Sequence, residues 1–257
     1  MKKIALSVAG FDPSSGAGLT ADLKTFQSCG VYGVSAVTAI TIQNSKTIKK
    51  VEIVKQQIVQ QQIMALLDDF NVNAIKIGML GNEEVVDAVI SSISNFEKIP
   101  VVLDPVFYSS SGFQLLDKNG IKNLIEKLIP KVDLITPNIS EAEIITGLKI
   151  DKENDFEKAA NKILKMGVKN VVIKGGHSLN NANDLFCSSN QKVWLRSKRE
   201  DKNDVHGTGC AFSAAITAHL CFDCDYLKAV YKAKEFIKKS IVDSIKIGKG
   251  SRLIDAD

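Results

Sequence analysis

A chain of 257 residues, 45% hydrophobic and 24% charged, can bury enough apolar surface to fold without disulfides or a structural metal, which excludes stapled mini-scaffolds and disordered chains. Its formal charge of +4 and its 6% of aromatic residues argue against a nucleic-acid reader, which sets stacking rings beside clustered basic side chains. No uncharged apolar run is long enough to span a membrane, and five irregularly spaced cysteines, Cys29, Cys187, Cys210, Cys221 and Cys224, suit a reducing, cytoplasmic setting.

In chain order, an apolar strand is predicted over 4–9, followed by a Gly-rich segment, 10–18, and a helix over 19–29. Behind Met1-Lys2-Lys3 the run 4–9 is too short for the core of a signal peptide. A strand over 34–42 ends at Gln43-Asn44, and a helix over 54–70 leads to a strand over 74–77 that ends at Gly78-Met79. After a helix over 83–93, a strand over 101–103 runs into Asp104-Pro105-Val106. A helix over 121–128 and a strand over 134–136 precede Pro137-Asn138, with helices over 141–146 and 156–166 beyond. The strand over 171–173 ends at Lys174. Segments 184–187 and 193–196 then read as a short antiparallel pair at a sheet edge, and helices over 210–220 and 227–240 close the chain. Lys232, Lys234, Lys238 and Lys239 form a solvated face of that last helix, and Cys221 and Cys224 lie at a helix end without metal-ligand spacing.

Several of these strands are almost continuously apolar, as a parallel sheet covered on both faces requires. The pattern predicts one domain over 1–257, a three-layer α/β/α sandwich around a mostly parallel sheet, with no linker or repeat. Ligands of such sheets bind beyond the carboxyl ends of the strands, where the polar and Gly-rich segments converge. That convergence points to a small-molecule site.

Gly16-Ala17-Gly18-Leu19-Thr20-Ala21 matches the dinucleotide pattern formally, but no Asp or Glu occurs from 23 to 51 to hold a ribose. It reads better as a tight turn that feeds a helix and shapes a pocket. Gly207-Thr208-Gly209-Cys210, in the run from Asp204, opens an apolar helix. Its bare N–H groups and the helix dipole make an anion site, which is more than a helix cap needs. Cys210 reads equally as a thiolate base, its pKa lowered by the helix start, or as a small buried residue. Lys174-Gly175-Gly176-His177 puts a lysine within reach of a phosphate, and Asn138 or Ser140 caps a helix whose Glu141 can hold Mg²⁺ through water. Neither a Walker A motif nor a G-x-S-x-G elbow occurs.

The ordered set, from 9–18 and 21–26 through Ile42-Gln43-Asn44, 76–80, 103–106, 136–142 and 174–177 to His206-Gly207-Thr208-Gly209-Cys210, resembles the hydroxymethylpyrimidine/phosphomethylpyrimidine kinases of thiamine biosynthesis over nearly the whole chain. The resemblance implies a ribokinase-like fold, ATP and Mg²⁺ as cofactors, a small pyrimidine substrate and a homodimer. It implies that Gln43 reads the pyrimidine edge, with Gly10 and Asp22 near the substrate's polar groups and Met79 and Val106 against its ring. Lys174, Asn138 and Thr208 then serve the nucleotide, Glu141 and Asp104 the Mg²⁺, and Gly207, Thr208, Gly209 and Cys210 the transferring phosphoryl group. A loose transition state makes positioning and anion stabilisation matter more than proton removal.

Some positions depart from that family's usual pattern: Phe11, Val205, the Ser109-Ser110-Ser111-Gly112 segment and the tail 248–252. They bear on the lid and on substrate preference rather than on the reaction. A pyridoxal or pyridoxine kinase is the nearest rival, and Gln43-Asn44 favours the pyrimidine. A nicotinamide oxidoreductase would explain 16–21 only, and a non-catalytic nucleotide-binding regulator would not need Lys174, Glu141 and the anion site together.

Overall fold

The structure, a computed structural model, describes residues 2–94, 96, 98–176, 182–197 and 205–254. His177 and Asp204, named above within motifs, lie outside the described residues. The chain opens with β1 (Ile4–Phe11), α1 (Gly18–Ser28), β2 (Tyr32–Gln43), β3 (Ile48–Ile53), α2 (Gln56–Asp69), β4 (Ala74–Ile77) and α3 (Glu83–Ile93). It continues through β5 (Val101–Leu103), α4 (Lys118–Asn123), β6 (Leu134–Ile135), α5 (Ile139–Thr146), α6 (Glu153–Leu164) and β7 (Asn170–Ile173). The last part holds β8 (Asp184–Ser188), β9 (Lys192–Leu195), β10 (Val205–His206), α7 (Thr208–Leu220), α8 (Tyr226–Val242) and β11 (Arg252–Leu253).

Nine strands form one sheet in the order β3-β2-β1-β4-β5-β6-β7-β8-β9. The six from β2 to β7 are parallel, and the antiparallel strands β3, β8 and β9 finish the edges. The inner strands alternate side chains between two cores with the period of two that a pleat imposes. Leu6, Val8, Ile75, Ile77, Val101, Leu103, Val171 and Ile173 enter a core on one face. Ala5, Ala74, Val102, Leu134 and Val172 enter the other, with Phe26, Phe212, Ile216 and Val230 from α1, α7 and α8. Fully burying one such aliphatic side chain contributes about 1.5–3 kcal/mol. The mostly parallel α/β/α sandwich read from the sequence is the architecture found.

Some helix starts follow side-chain caps: Asn82 accepts from Val85 N–H before α3, Asp117 from Gly120 N–H before α4, and Asp225 from Lys228 N–H before α8. Three sequence readings need correction. The helix expected over 121–128 is α4 followed by a π-helical turn, Leu124–Leu128, because a 3.6 period does not distinguish the two. Thr136 lies outside its strand, although its N–H still donates to Leu103 O at 2.9 Å, and its hydroxyl donates toward Asp104. Strand β3 was not expected at all: Lys49, Lys50 and Glu52 point to solvent from a sheet edge, where charge discourages pairing with another chain.

Candidate active site

The carboxyl ends of β1, β2 and β4 to β7 surround a cavity of about 650 Å³ that takes in the Gly10, Gln43, Met79, Asp104, Asn138 and Lys174 loops and the start of α7. Gly207 caps α7 with φ +89°, a left-handed conformation in which a Cβ would overlap the carbonyl oxygen of Gly16. Thr208, Gly209 and Cys210 form the first helical turn, so unpaired N–H groups and the positive end of the helix dipole face the cavity.

Lys174 follows β7 directly. Its backbone N–H donates to Pro137 O at 2.8 Å, and its Nζ donates to Asp104 Oδ1 at 2.9 Å. The ammonium also stands 3.4 Å from where a Cβ on Gly209 would be, so the lysine and the anion site form one electropositive corner. Burial works against that charge, but Asp104 and Glu141 outweigh it and raise the Lys174 pKa. Asp104 also accepts from Thr136 and Ser213 hydroxyls, each at 3.3 Å. Although burial opposes it, Lys174 and Lys76 hold the Asp104 carboxyl below its ordinary value.

Asn138 and Glu141 make a reciprocal capping box on α5: Asn138 Oδ1 accepts from Glu141 N–H at 2.8 Å, and Glu141 Oε2 accepts from Asn138 N–H at 2.7 Å. Burial, opposed by Lys174 and reinforced by Asp104, pushes the Glu141 carboxyl up to about 7. Among the described residues no group of three or more His, Cys, Asp or Glu could enclose a metal. The hard oxygens of Glu141 and Asp104, both on the cavity wall, nevertheless fit Mg²⁺, which commonly takes one or two carboxylates and completes its shell with water and phosphate.

At the other end, Met79 and Val106 join Leu115 and Ala39 in a small apolar cluster along the wall. Gly10 lets Met79 lie close, since a Cβ at Gly10 would come 2.8 Å from the Met79 sulfur. Gln43, at the end of β2, lines the cavity, and its amide nitrogen lies 3.3 Å from His206 Nε2.

Two sequence readings change. Asp22 does not line the cavity: it is fully buried beneath it, and its carboxylate accepts from Lys76 Nζ at 2.7 and 2.8 Å and from Ser7 at 2.6 Å. Lys76 is the residue that reaches the cavity floor. Burial opposes its charge, but Asp22, Cys210 and Asp104 together raise its pKa, so it stays an ammonium. Of the two readings of Cys210, the structure favours the thiol over the thiolate. Burial, opposed by Lys76 and reinforced by Asp104 and Asp22, pushes its thiol up to about 11, which outweighs the helix start.

The sequence reading missed Lys76, His206 and Asp12. A lysine within Ala74-Ile75-Lys76-Ile77, a strand that is otherwise apolar, was a usable signal that a buried acid must face it. His206 carried no such mark, because its partners come from distant loops. Chemically, the cavity pairs an electropositive corner suited to phosphates with an apolar wall of Met79, Val106 and Leu115, and Gln43 also lines it.

Comparison with known proteins places this arrangement. Residues 12–255 match the family model described as phosphomethylpyrimidine kinase. A hydroxymethylpyrimidine/phosphomethylpyrimidine kinase of Aquifex aeolicus is 40% identical, covering 98% of this chain and 99% of that protein. A crystal structure of phosphomethylpyrimidine kinase from Clostridium difficile shares 39% identity with a TM-score of 0.84, covering 93% of this chain and 100% of that one. An ADP complex of Bacillus subtilis pyridoxal kinase shares 33% identity with a TM-score of 0.91, covering 100% and 98%. With its ribokinase-like fold and a match over nearly its full length, the chain belongs to the phosphomethylpyrimidine kinase family.

Proposed function

We propose that this protein, as one kinase domain, transfers the terminal phosphoryl group of ATP to 4-amino-5-hydroxymethyl-2-methylpyrimidine and then to the resulting monophosphate, as thiamine biosynthesis requires. The observation that carries the reading is the convergence of Lys174, the Gly207–Cys210 helix start and the amide of Gln43 on one cavity. Full-length similarity to hydroxymethylpyrimidine/phosphomethylpyrimidine kinases supports it.

In this reading Lys174 holds the phosphates, and the N–H groups of Thr208, Gly209 and Cys210 hold the transferring group as charge spreads over its equatorial oxygens. Met79 and Val106 pack against the pyrimidine ring, Gln43 bonds its polar edge, and the backbone at Gly10 lies beside it. Glu141 and Asp104 would hold Mg²⁺, which when bound neutralises phosphate charge, while Asn138 keeps Glu141 in place. Lys76, charged and anchored on Asp22, gives the cavity floor a fixed positive end. The Cys210 thiol, its pKa pushed up by burial, must first lose its own proton to solvent before it can take the hydroxyl proton, a late and minor contribution in a loose transition state.

ADP release tests the reading: it should rise with hydroxymethylpyrimidine and with its monophosphate, and only weakly with pyridoxine. Turnover with pyridoxine alone would hand the substrate to the pyridoxal-type rival, which the Bacillus subtilis likeness keeps in view. Cys210→Ala should lower kcat about 10- to 100-fold, at or below the range of a fully engaged general base, with nucleotide affinity unchanged. Single-turnover rates would show it, and unchanged kcat would remove Cys210 from proton transfer.

A further inference from the structure

We propose that His206 is a positioning residue that sets the order in which Gln43 presents its amide to the substrate. This rests on the pyrimidine-kinase reading above. Gln43 Nε2 lies 3.3 Å from His206 Nε2. An amide nitrogen only donates, so in this contact the ring nitrogen accepts. One N–H of Gln43 is thereby engaged by His206. The other N–H and Oε1 remain for the cavity, a donor beside an acceptor.

That pair complements an aminopyrimidine edge, whose ring nitrogen accepts and whose exocyclic amine donates. Turned by 180°, the same amide would complement an oxo-pyrimidine edge, where the ring N–H donates and the oxygen accepts. Nothing in an amide's shape prefers one order. The choice falls to the residue behind it.

His206 is built to make that choice. It sits on β10, whose ladder with β11 pairs His206 with Leu253. Gly16 admits the ring, since a Cβ there would come 3.0 Å from His206 Cδ2 and 2.7 Å from Leu253 Cδ2. Asp12 Oδ2 is 3.7 Å from His206 Nε2, farther than the Gln43 amide, and it accepts from Ala17 N–H at 3.0 Å. Asp12 Oδ1 is held by the N–H and hydroxyl of Ser14, at 2.8 and 2.7 Å. Gln43 therefore makes the closer contact with the ring nitrogen. His206 also directly precedes Gly207, so substrate reading and the anion site share one short segment.

The test compares kcat/KM for the aminopyrimidine and its 4-oxo counterpart in the full-length wild type and in His206→Leu, His206→Gln and His206→Asn. The wild type should prefer the amine about 10³-fold or more, as sites built on hydrogen bonds do. His206→Leu should reduce that preference to about tenfold or less, mainly through KM for the pyrimidine, with KM for ATP unchanged. His206→Gln, whose Oε1 reaches the Nε2 position, should recover part of it. Should the leucine variant not fold, His206→Asn, which reaches only the Nδ1 position, reads the same loss. Full preference retained in the leucine and asparagine variants, or a wild type that prefers the oxo compound, would overturn the assignment alone. A wild type that phosphorylates neither pyrimidine would overturn the kinase reading, and this assignment with it.

Discussion

Gly207→Ala should lower kcat about 10³-fold or more, because it moves several phosphoryl-holding N–H groups at once and the loss of one such donor already costs about 10²–10³. The cause is steric and local. At φ +89° an alanine pays about 1–2 kcal/mol for the left-handed conformation alone. Its Cβ would also overlap the Gly16 carbonyl oxygen, which is backbone and cannot rotate away as a side chain could. The loop before α1 and the start of α7 must then part, carrying Thr208, Gly209 and Cys210 off target. Steady-state kinetics with a thermal melt would check this, since the melt should fall only modestly. A variant with kcat within tenfold of wild type would mean that these amides do not hold the reacting phosphate.

The second large effect concerns stability. Lys76→Met should destabilise the fold by about 3–5 kcal/mol, the usual cost of leaving one partner of a buried ion pair alone. Asp22 and Lys76 are both fully buried, and only the Ser7 hydroxyl would remain on the carboxylate. Replacing both, as Lys76→Met with Asp22→Leu, should recover most of the loss, because an apolar pair needs no desolvation of charge. Urea denaturation at neutral pH measures each. On the alkaline side the sign follows from the raised Lys76 pKa: the contribution is still present at the unfolded lysine value of about 10.4 and is lost as pH rises through the higher folded value. A single variant within 1 kcal/mol of wild type, or a double variant no better than the single, would contradict the paired-charge account.

Much of the fold was readable because its signals are periodic. The alternation that sends Leu6 and Val8 to one core and Ala5 to the other is present in the chain itself. Elements without such a period were not readable. Strand β3 carries three exposed charged residues in six, and β10 and β11 pair over two residues each, too short for any pattern. For the site, loop composition located Gly10, Gln43, Met79, Asp104, Asn138 and Lys174 around one cavity. What composition does not carry is which polar group faces which. Asp22 stood where a substrate ligand was expected, yet the strand alternation turns Lys76 toward it and removes it from the cavity. Likewise, the helix start beside Cys210 suggested a lowered thiol pKa, whereas Asp104 and Asp22, acidic neighbours from distant segments, help burial raise it. Such pairings depend on the folded geometry of three or four segments at once, which no local spacing encodes.

The central claim is successive phosphorylation of one pyrimidine by one protein, and its most direct measurement follows the phosphorus. The full-length chain, ATP, Mg²⁺ and hydroxymethylpyrimidine are incubated, and products are resolved by ³¹P NMR over time. The account predicts a monophosphate ester that rises first and then a diphosphate that grows at its expense, with ADP released at each stage. No pyrimidine phosphate at all, while pyridoxine under the same conditions becomes its phosphate, would contradict it.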